Sequence, residues 1–225
     1  MRKTGGRHEL KYYINNADYL QLHSRLPCVA SPDKNALSDS SYRVRSLYFD
    51  NYQDKALREK IDGVDEREKF RIRLYNNDTS YIRLEKKSKS EGLCFKQSAI
   101  ITKAECERLL NGDFSSLKEN GQPLCLELYV KMQYHNLRPK NIVDYKREAY
   151  VYPAGNVRIT IDSDIRAGLN TDSFLDQDFT TIPIPDVCIL EVKYDNFLPE
   201  VVRGMVALSS RSQKAFSKYA ATRII

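Results

Sequence analysis

Apolar and charged residues alternate in short segments spread along most of the chain. The clearest are residues 7–11, 69–73, 83–87, 158–162 and 191–193. Because successive side chains of a β-strand point to opposite sides, each segment would carry its charges on one face and its apolar residues on the other. Most of these charges are Arg and Lys. Closing such strands into a barrel would give a basic interior, which suits a polyanion.

The alternation predicts eight strands, and the residues between them support this number. Asn76 to Asp78 and Pro153 to Asn156 each separate two strands with residues that favour turns. Eight antiparallel strands are sufficient to close a small barrel. The predicted strands are 7–14, 44–50, 66–75, 81–88, 93–101, 142–152, 156–163 and 188–194.

Four helices are predicted, three between strands and one after the last strand. Apolar side chains recur at helical spacing before Pro27, and Thr102 with Glu105 forms a capping box at the start of another helix. A proline at position 199 suits the first turn of the last helix. The predicted helices are 18–26, 51–61, the segment between Thr102 and Gly112, and 199–206. The predicted fold is a single α+β domain, 1–225, with an eight-stranded antiparallel barrel or tunnel and covering helices.

The amino-acid composition adds little to the predicted fold. The chain has 36 Lys and Arg against 30 Asp and Glu, and a net charge of +6 does not by itself identify a partner. No apolar stretch approaches the roughly 20 residues of a membrane span, and residues 1–6 lack the apolar core of a signal peptide. These features predict a soluble cytoplasmic protein.

Several common kinds of site are disfavoured by the sequence. The five cysteines include no CxxC pair, and their odd number argues against a complete disulfide framework. None of the three histidines has zinc-like spacing to another histidine or to a cysteine. The GxSxG, Walker and GxGxxG motifs are also missing. A zinc hydrolase and the common acyl-transfer and nucleotide-binding devices are therefore not expected.

An ordered set of motifs extends over nearly the whole chain. It consists of RHELKY at 7–12, SLYFDN at 46–51, KFRIR at 69–73, EKK at 85–87, LRP at 137–139, YKREA at 145–149, RITID at 158–162, LEVKY at 190–194 and SKY at 217–219. With these motifs the chain resembles the VTC (vacuolar transporter chaperone) domain. That domain is the polyphosphate polymerase branch of the CYTH-like triphosphate tunnel metalloenzymes, which also include adenylate cyclases, thiamine triphosphatases and RNA triphosphatases.

The resemblance implies a tunnel whose cations hold the phosphates of ATP and of a growing polyphosphate chain. Arg forks match phosphate oxygens, and Lys acts as a point charge. The residues assigned to catalysis are Lys11, Arg71, Arg73, Arg147, Arg158 and Lys218. The residues assigned to substrate binding are Lys87, Lys96, Lys193, Glu9 and Glu85.

The resemblance also implies a divalent metal, Mn²⁺ or Mg²⁺. Glu191 matches the metal-binding Glu of the family's LEVK strand and is the predicted ligand. One or two carboxylates, completed by phosphate oxygens and water, are usual for such an ion in phosphoryl transfer. Glu9 and Glu85 are supporting carboxylates. Glu9, Glu85 and Asp162 are either catalytic or serve only as counter-ions of neighbouring cations.

The function expected from the resemblance is metal-dependent transfer of the ATP γ-phosphoryl group to polyphosphate. The alternatives are an inorganic tri- or polyphosphatase and a module that binds polyphosphate or another polyanion without turnover. Nucleic acid is not an expected partner, because the aromatic stacking platforms of common RNA-binding proteins are not evident. Fungal members carry an inositol-phosphate-sensing module and a membrane region, which this sequence lacks, so coupling to export would require a separate membrane partner.

Overall fold

A computed structural model gives the structure of residues 6–34, 41–208, 213 and 216–223. Its main feature is one antiparallel sheet. The strands are β1 His8–Ile14, β2 Ser31–Pro32, β3 Ser41–Asp50, β4 Arg67–Tyr75, β5 Asp78–Ser90, β6 Leu93–Ile101, β7 Arg138–Tyr152, β8 Val157–Gly168, β9 Thr181–Pro183 and β10 Cys188–Tyr194.

Eight of these strands form a curled sheet in the order β1-β10-β8-β7-β3-β4-β5-β6. The short strands β2 and β9 pair with β7 and β8. The two edge strands approach each other at an antiparallel bridge between Arg7 and Cys94, where the Arg7 amide donates to the Cys94 carbonyl at 3.1 Å. The sheet is therefore a half-barrel with a concave interior.

Of the helices that the structure describes, five lie between strands in sequence and two follow the last strand, β10. They are α1 Asn16–Arg25, α2 Lys55–Ile61, α3 Lys103–Leu110, α4 Ser115–Asn120, α5 Pro123–Tyr134, α6 Glu200–Val206 and α7 Lys218–Ala221. Short 3-10 turns occur at Leu26–Cys28, Ala154–Asn156 and Thr171–Leu175. In the described part of the chain, no helix is both long and apolar enough to cross a membrane.

Two apolar cores cover the outer face of the sheet. Helices α3, α4 and α5 pack on β3 to β6 around side chains such as Phe70 and Ile72. Helices α1 and α6 pack on β1, β8 and β10 around side chains such as Ile159, Leu190 and Val192. Because all five of these apolar residues face outward, the charged residues that alternate with them face the concave side.

The C-terminal segment packs against the concave side rather than the outer face. The ring of Tyr219 in α7 stacks on Tyr48 of β3 at 5.1 Å, and its hydroxyl donates to Asp50 Oδ2 at 2.7 Å. Phe216 packs edge-on against Tyr13 of β1 at 5.0 Å. These contacts bring α7, including Lys218, into the interior.

The predicted α+β fold with eight antiparallel strands is confirmed. Some boundaries differ: α2 begins at Lys55 rather than at residue 51, because the backbone turns through Asp54 at a φ of 53°. The first helix ends at Arg25, and Leu26 begins a 3-10 turn. Helices α4 and α5 were not predicted. Helix α5 is apolar on most of its surface, so it lacks the one-sided pattern that indicates a helix.

Candidate functional site

The site is built from the charged face of the sheet. Along β4, Phe70 and Ile72 are in the outer core, and Lys69, Arg71 and Arg73 therefore point into the concave interior. The same alternation on the other strands and the position of α7 bring all twelve predicted site residues to this side. They gather around acidic side chains in three clusters and one further pair.

The first cluster surrounds Glu85 on β5. Arg71 donates to Glu85 Oε2 at 2.8 Å, the Arg73 guanidinium lies 3.8 Å from the same oxygen, and the ammonium group of Lys96 contacts the other oxygen. Burial alone would raise the pKa of Glu85, but Arg71, Arg73 and Lys96 outweigh it and hold the pKa far below its ordinary value. Glu85 is therefore ionised at any physiological pH.

Both arginines of this cluster also donate hydrogen bonds to hydroxyl groups. Arg71 donates to the Tyr48 hydroxyl at 3.1 Å, and Arg73 donates to Ser46 at 3.0 Å and to the Tyr145 hydroxyl at 3.1 Å. These contacts fix both guanidinium groups in the interior. Such fixed forks suit the binding of phosphate oxygens.

The second cluster joins β1, β5 and β10 around Glu9 and Glu191. Lys11 contacts Glu9 and lies 3.3 Å from Glu191 Oε2, while Lys193 lies 2.5 Å from Glu191 Oε1. Lys87 lies 2.6 Å from Glu9 Oε2. The predicted grouping of Glu191 with Lys193 on the interior face is thus observed.

Charge crowding in this cluster shifts the ionisation of its members. Burial would raise the pKa of Glu191, but Lys193, Lys11 and Lys87 hold that pKa well below its ordinary value. Burial and the nearby charge of Lys87 lower the pKa of Lys193 to about 8, although Glu191 acts in the opposite direction. The cluster therefore contains carboxylates that stay ionised and at least one lysine that titrates close to neutral pH.

The third cluster surrounds Asp162 on β8. Arg147 binds both Asp162 oxygens, at 2.6 and 2.7 Å, and Lys218 of α7 contacts Oδ2. Burial would raise the pKa of Asp162, but Arg147 and Lys218 lower it to about 2. Asp162 is thus a counter-ion of two predicted catalytic cations, which agrees with one of its two predicted roles.

Arg158 lies apart from these clusters. Its guanidinium contacts Asp33, which follows β2, and donates to the Tyr42 hydroxyl at 2.9 Å. About a third of its side chain is exposed, 33%, against 10% for Arg147. Sequence reasoning missed Asp33 because it follows a two-residue strand that carries no alternating pattern.

The interior also contains titratable groups that were not among the predicted site residues. The Lys69 ammonium lies 5.4 Å from the ring centre of Tyr48. Burial and the nearby cations Lys87, Lys11 and Arg71 lower the pKa of Lys69 to about 7, although Tyr48 acts in the opposite direction. Lys69 belongs to the same alternating segment as the two predicted arginines, and this pattern was the available signal.

A cavity of about 520 Å³ opens into this part of the interior. Its lining is dominated by cations, and the acidic residue Glu9 is also part of it. The lining cations are Lys11, Lys60, Arg67, Lys69, Lys87 and Lys89. A larger cavity of about 800 Å³ near the start of α1 is lined by none of the twelve predicted residues.

The carboxylates of the second cluster are the candidate ligands of a divalent ion. In the described residues, no group of three or more His, Cys, Asp or Glu side chains could hold a metal ion. Glu9 and Glu191 both contact Lys11 and both stay ionised, so they supply hard oxygen donors in one place. This donor set fits an ion whose remaining ligands are phosphate oxygens and water.

The fold is shared with proteins of known structure. The chain resembles a proposed adenylyl cyclase from Hippeastrum described as having a dominant triphosphatase activity (14% identity, TM-score 0.53, 97% of this chain and 95% of that chain covered). The PH1012 protein from Pyrococcus horikoshii gives 12% identity and a TM-score of 0.51, with 94% of this chain and 96% of that chain covered. A conserved hypothetical protein from Pyrococcus furiosus gives 11% identity and a TM-score of 0.50, with 94% of this chain and 96% of that chain covered. At these identities the likeness concerns the fold alone.

The sequence profile of the VTC domain matches residues 6–224, and the chain therefore belongs to the VTC domain family. No curated protein gives a significant sequence match. Membership of this family supports a tunnel-fold enzyme that handles phosphoryl groups.

Proposed function

We propose that this protein is a metal-dependent polyphosphate polymerase that transfers the γ-phosphoryl group of ATP to a polyphosphate chain. One observation carries the proposal: nine predicted cations face the interior and contact only five carboxylates among the described residues. The carboxylates are Glu9, Asp33, Glu85, Asp162 and Glu191. An excess of cations in a curled sheet attracts a ligand with many closely spaced negative charges.

The proposed reaction needs little covalent chemistry from the protein. An oxygen of the terminal phosphate of the chain attacks the γ-phosphorus of ATP, and the bond from that phosphorus to the β–γ bridging oxygen breaks. ADP leaves with the bonding electrons, and the chain grows by one phosphate. The attacking oxygen already carries negative charge at neutral pH, so the main barriers are repulsion and misalignment of two anions.

The interior residues address both barriers. Arg71 and Arg73 are held by hydroxyl groups as well as by Glu85, so they present fixed forks to phosphate oxygens. Arg147 and Lys218 bring positive charge from two different elements to one place beside Asp162. A divalent ion at Glu191, with Glu9 in support, would add charge neutralisation between phosphate groups.

The hydrolytic alternative requires activation of water by a base. The interior carboxylates Glu9, Glu85, Asp162 and Glu191 are poor bases, because neighbouring cations lower the pKa of each. This observation argues against these carboxylates as the base, whereas Lys69 and Lys193, whose pKa values are lowered to about 7 and about 8, keep the hydrolytic alternative open. It leaves the third alternative, binding without turnover, to experiment.

The deciding experiment is incubation of the purified protein with ATP and Mn²⁺, followed by separation of long phosphate polymer from orthophosphate. Polymer formation would support the polymerase. Orthophosphate alone would identify a triphosphatase, and neither product with retained triphosphate binding would identify a binding module. The cytoplasmic location and a separate membrane partner stay predictions.

A further inference from the structure

The hydroxyl of Thr160 is buried in the middle of the concave face without a hydrogen-bond partner in the described structure. Thr160 is 2% exposed and belongs to β8, where Ile159 and Ile161 pack in the outer core. Alternation therefore directs its side chain into the interior, together with Arg158 and Asp162 on the same strand.

A partnerless buried hydroxyl is unfavourable for folding, and it calls for a specific explanation. Valine has nearly the same shape as threonine and forms strands equally well, so packing alone does not require the hydroxyl at Thr160. Other buried side-chain atoms without a hydrogen bond include Glu85 Oε1, but that oxygen contacts Lys96. Thr160 has no such ion pair.

The position of Thr160 indicates what its hydroxyl would bind. In the sheet register it lies directly opposite Glu191 of the second cluster, and it is two residues from Asp162 of the third cluster. An extended chain of phosphates that contacts both clusters would have to pass over this position. Phosphate oxygens are acceptors, and a hydroxyl can rotate to donate to them.

We propose that Thr160 is a ligand-binding residue that donates a hydrogen bond to a phosphate oxygen where the bound chain crosses from the Glu191 cluster to the Asp162 cluster. This inference rests on the proposed binding of polyphosphate in the interior. It adds a neutral contact between two charged ones, so it fixes the position of the chain without increasing the mutual repulsion of the cations.

The test compares Thr160→Val with Thr160→Ser by calorimetric titration of inorganic triphosphate without metal, and by melting temperature without ligand. Loss of a hydrogen bond to a charged group predicts an affinity lower by about tenfold to 100-fold in Thr160→Val. The melting temperature of the ligand-free variant should be unchanged or higher, because the partnerless hydroxyl has been removed. Thr160→Ser, which keeps the hydroxyl, should bind like the wild type.

Each outcome decides the inference. Wild-type affinity in Thr160→Val would overturn it, and so would a parallel loss of affinity and of ligand-free stability. If Thr160→Val does not fold, Thr160→Ser and Thr160→Ala form a second pair that differs by the hydroxyl alone, and equal affinities in that pair would overturn it. Absence of triphosphate binding by the wild-type protein would instead reject the proposed function.

Discussion

The ammonium group of Lys87 lies 2.6 Å from Glu9 Oε2 and joins two strands that are not neighbours in the sheet. Glu9 is on the edge strand β1, and Lys87 is on β5, next to the opposite edge strand β6. The ion pair therefore connects the two edges of the curled sheet across its concave interior. The adjacent Lys86 points outward, where it lies 2.8 Å from Glu68 and also contacts Glu127.

These two adjacent lysines give a matched pair of variants. Lys87→Ala should weaken triphosphate binding by about 1.5 kcal/mol, because it removes an interior cation and leaves Glu9 with less compensation. Lys86→Ala should leave the affinity unchanged, since its partners are on the outer face. Calorimetric titration of both variants measures the difference, and equal losses would contradict the assignment of the interior face.

Arg71 and Arg73 provide a stronger test of the same face. Changing either to Ala should weaken triphosphate binding by about 1.5–3 kcal/mol, the range for hydrogen bonds to charged groups. Arg108→Ala is the control, because Arg108 lies on α3 and pairs with Asp113 and Glu119 on the surface. Circular dichroism should show a retained fold in each variant. Full affinity in both interior variants would exclude these arginines from the site.

The strand register was predictable because one face of nearly every strand is apolar. In β10, for example, Leu190 and Val192 had to face the helices, which left Glu191 in the interior. The turn between β4 and β5 was also predictable, because Asn tolerates the positive φ angles that such turns require. Asn76 and Asn77 adopt φ angles of 51° and 57°. These features are local in sequence.

The partners of the site residues were not predictable, because they come from distant parts of the chain. Asp50 was recognised only as part of a motif, but its carboxylate accepts from the backbone of Ala56 at the start of α2 and from the Tyr219 hydroxyl. It thus connects α2 to the C-terminal helix that carries Lys218. Similarly, nothing in the alternation predicts that Lys87 pairs with Glu9.

Polyanion binding should stabilise the folded protein. Interior cations repel one another in the absence of a ligand, and a ligand that binds only the folded state adds about 2.7 kcal/mol when present at 100 times its dissociation constant. Triphosphate at millimolar concentration should therefore raise the melting temperature. Sodium chloride at matched ionic strength is the control, and the same melting temperature in both solutions would argue against the site.

Triphosphate affinity should decrease as the pH rises through 7, because two interior groups change charge there. Burial would raise the pKa of Tyr48, but Arg71, Lys69 and neighbouring cations lower it to about 7, close to that of Lys69. Above this pH Lys69 loses its positive charge and Tyr48 gains a negative one. Both changes weaken the binding of an anion.

The variant Lys69→Met should flatten this pH dependence relative to the wild type, since it removes one titrating group and raises the pKa of the other. Calorimetric titrations of triphosphate at several pH values on either side of 7 measure the effect.

The stability of the ligand-free protein should change in the opposite direction and increase as the pH rises above 7. The pKa of Lys69 is lowered from 10.5 in the folded state, so its destabilising charge is fully present below pH 7 and is relieved as the pH rises. If triphosphate affinity depends on pH in the same way in the wild type and in Lys69→Met, Lys69 is not the group that titrates near pH 7.

Glu191→Gln separates metal-assisted catalysis from simple capture of charge. The substitution keeps the shape of the side chain and removes the charge that faces Lys11 and Lys193. If Glu191 holds the divalent ion, ATP turnover with Mn²⁺ should fall by orders of magnitude. Triphosphate affinity in the presence of a chelator should persist or increase, because the two lysines lose a competing carboxylate. Loss of both properties together would make Glu191 a structural counter-ion, and full turnover would remove it from the mechanism.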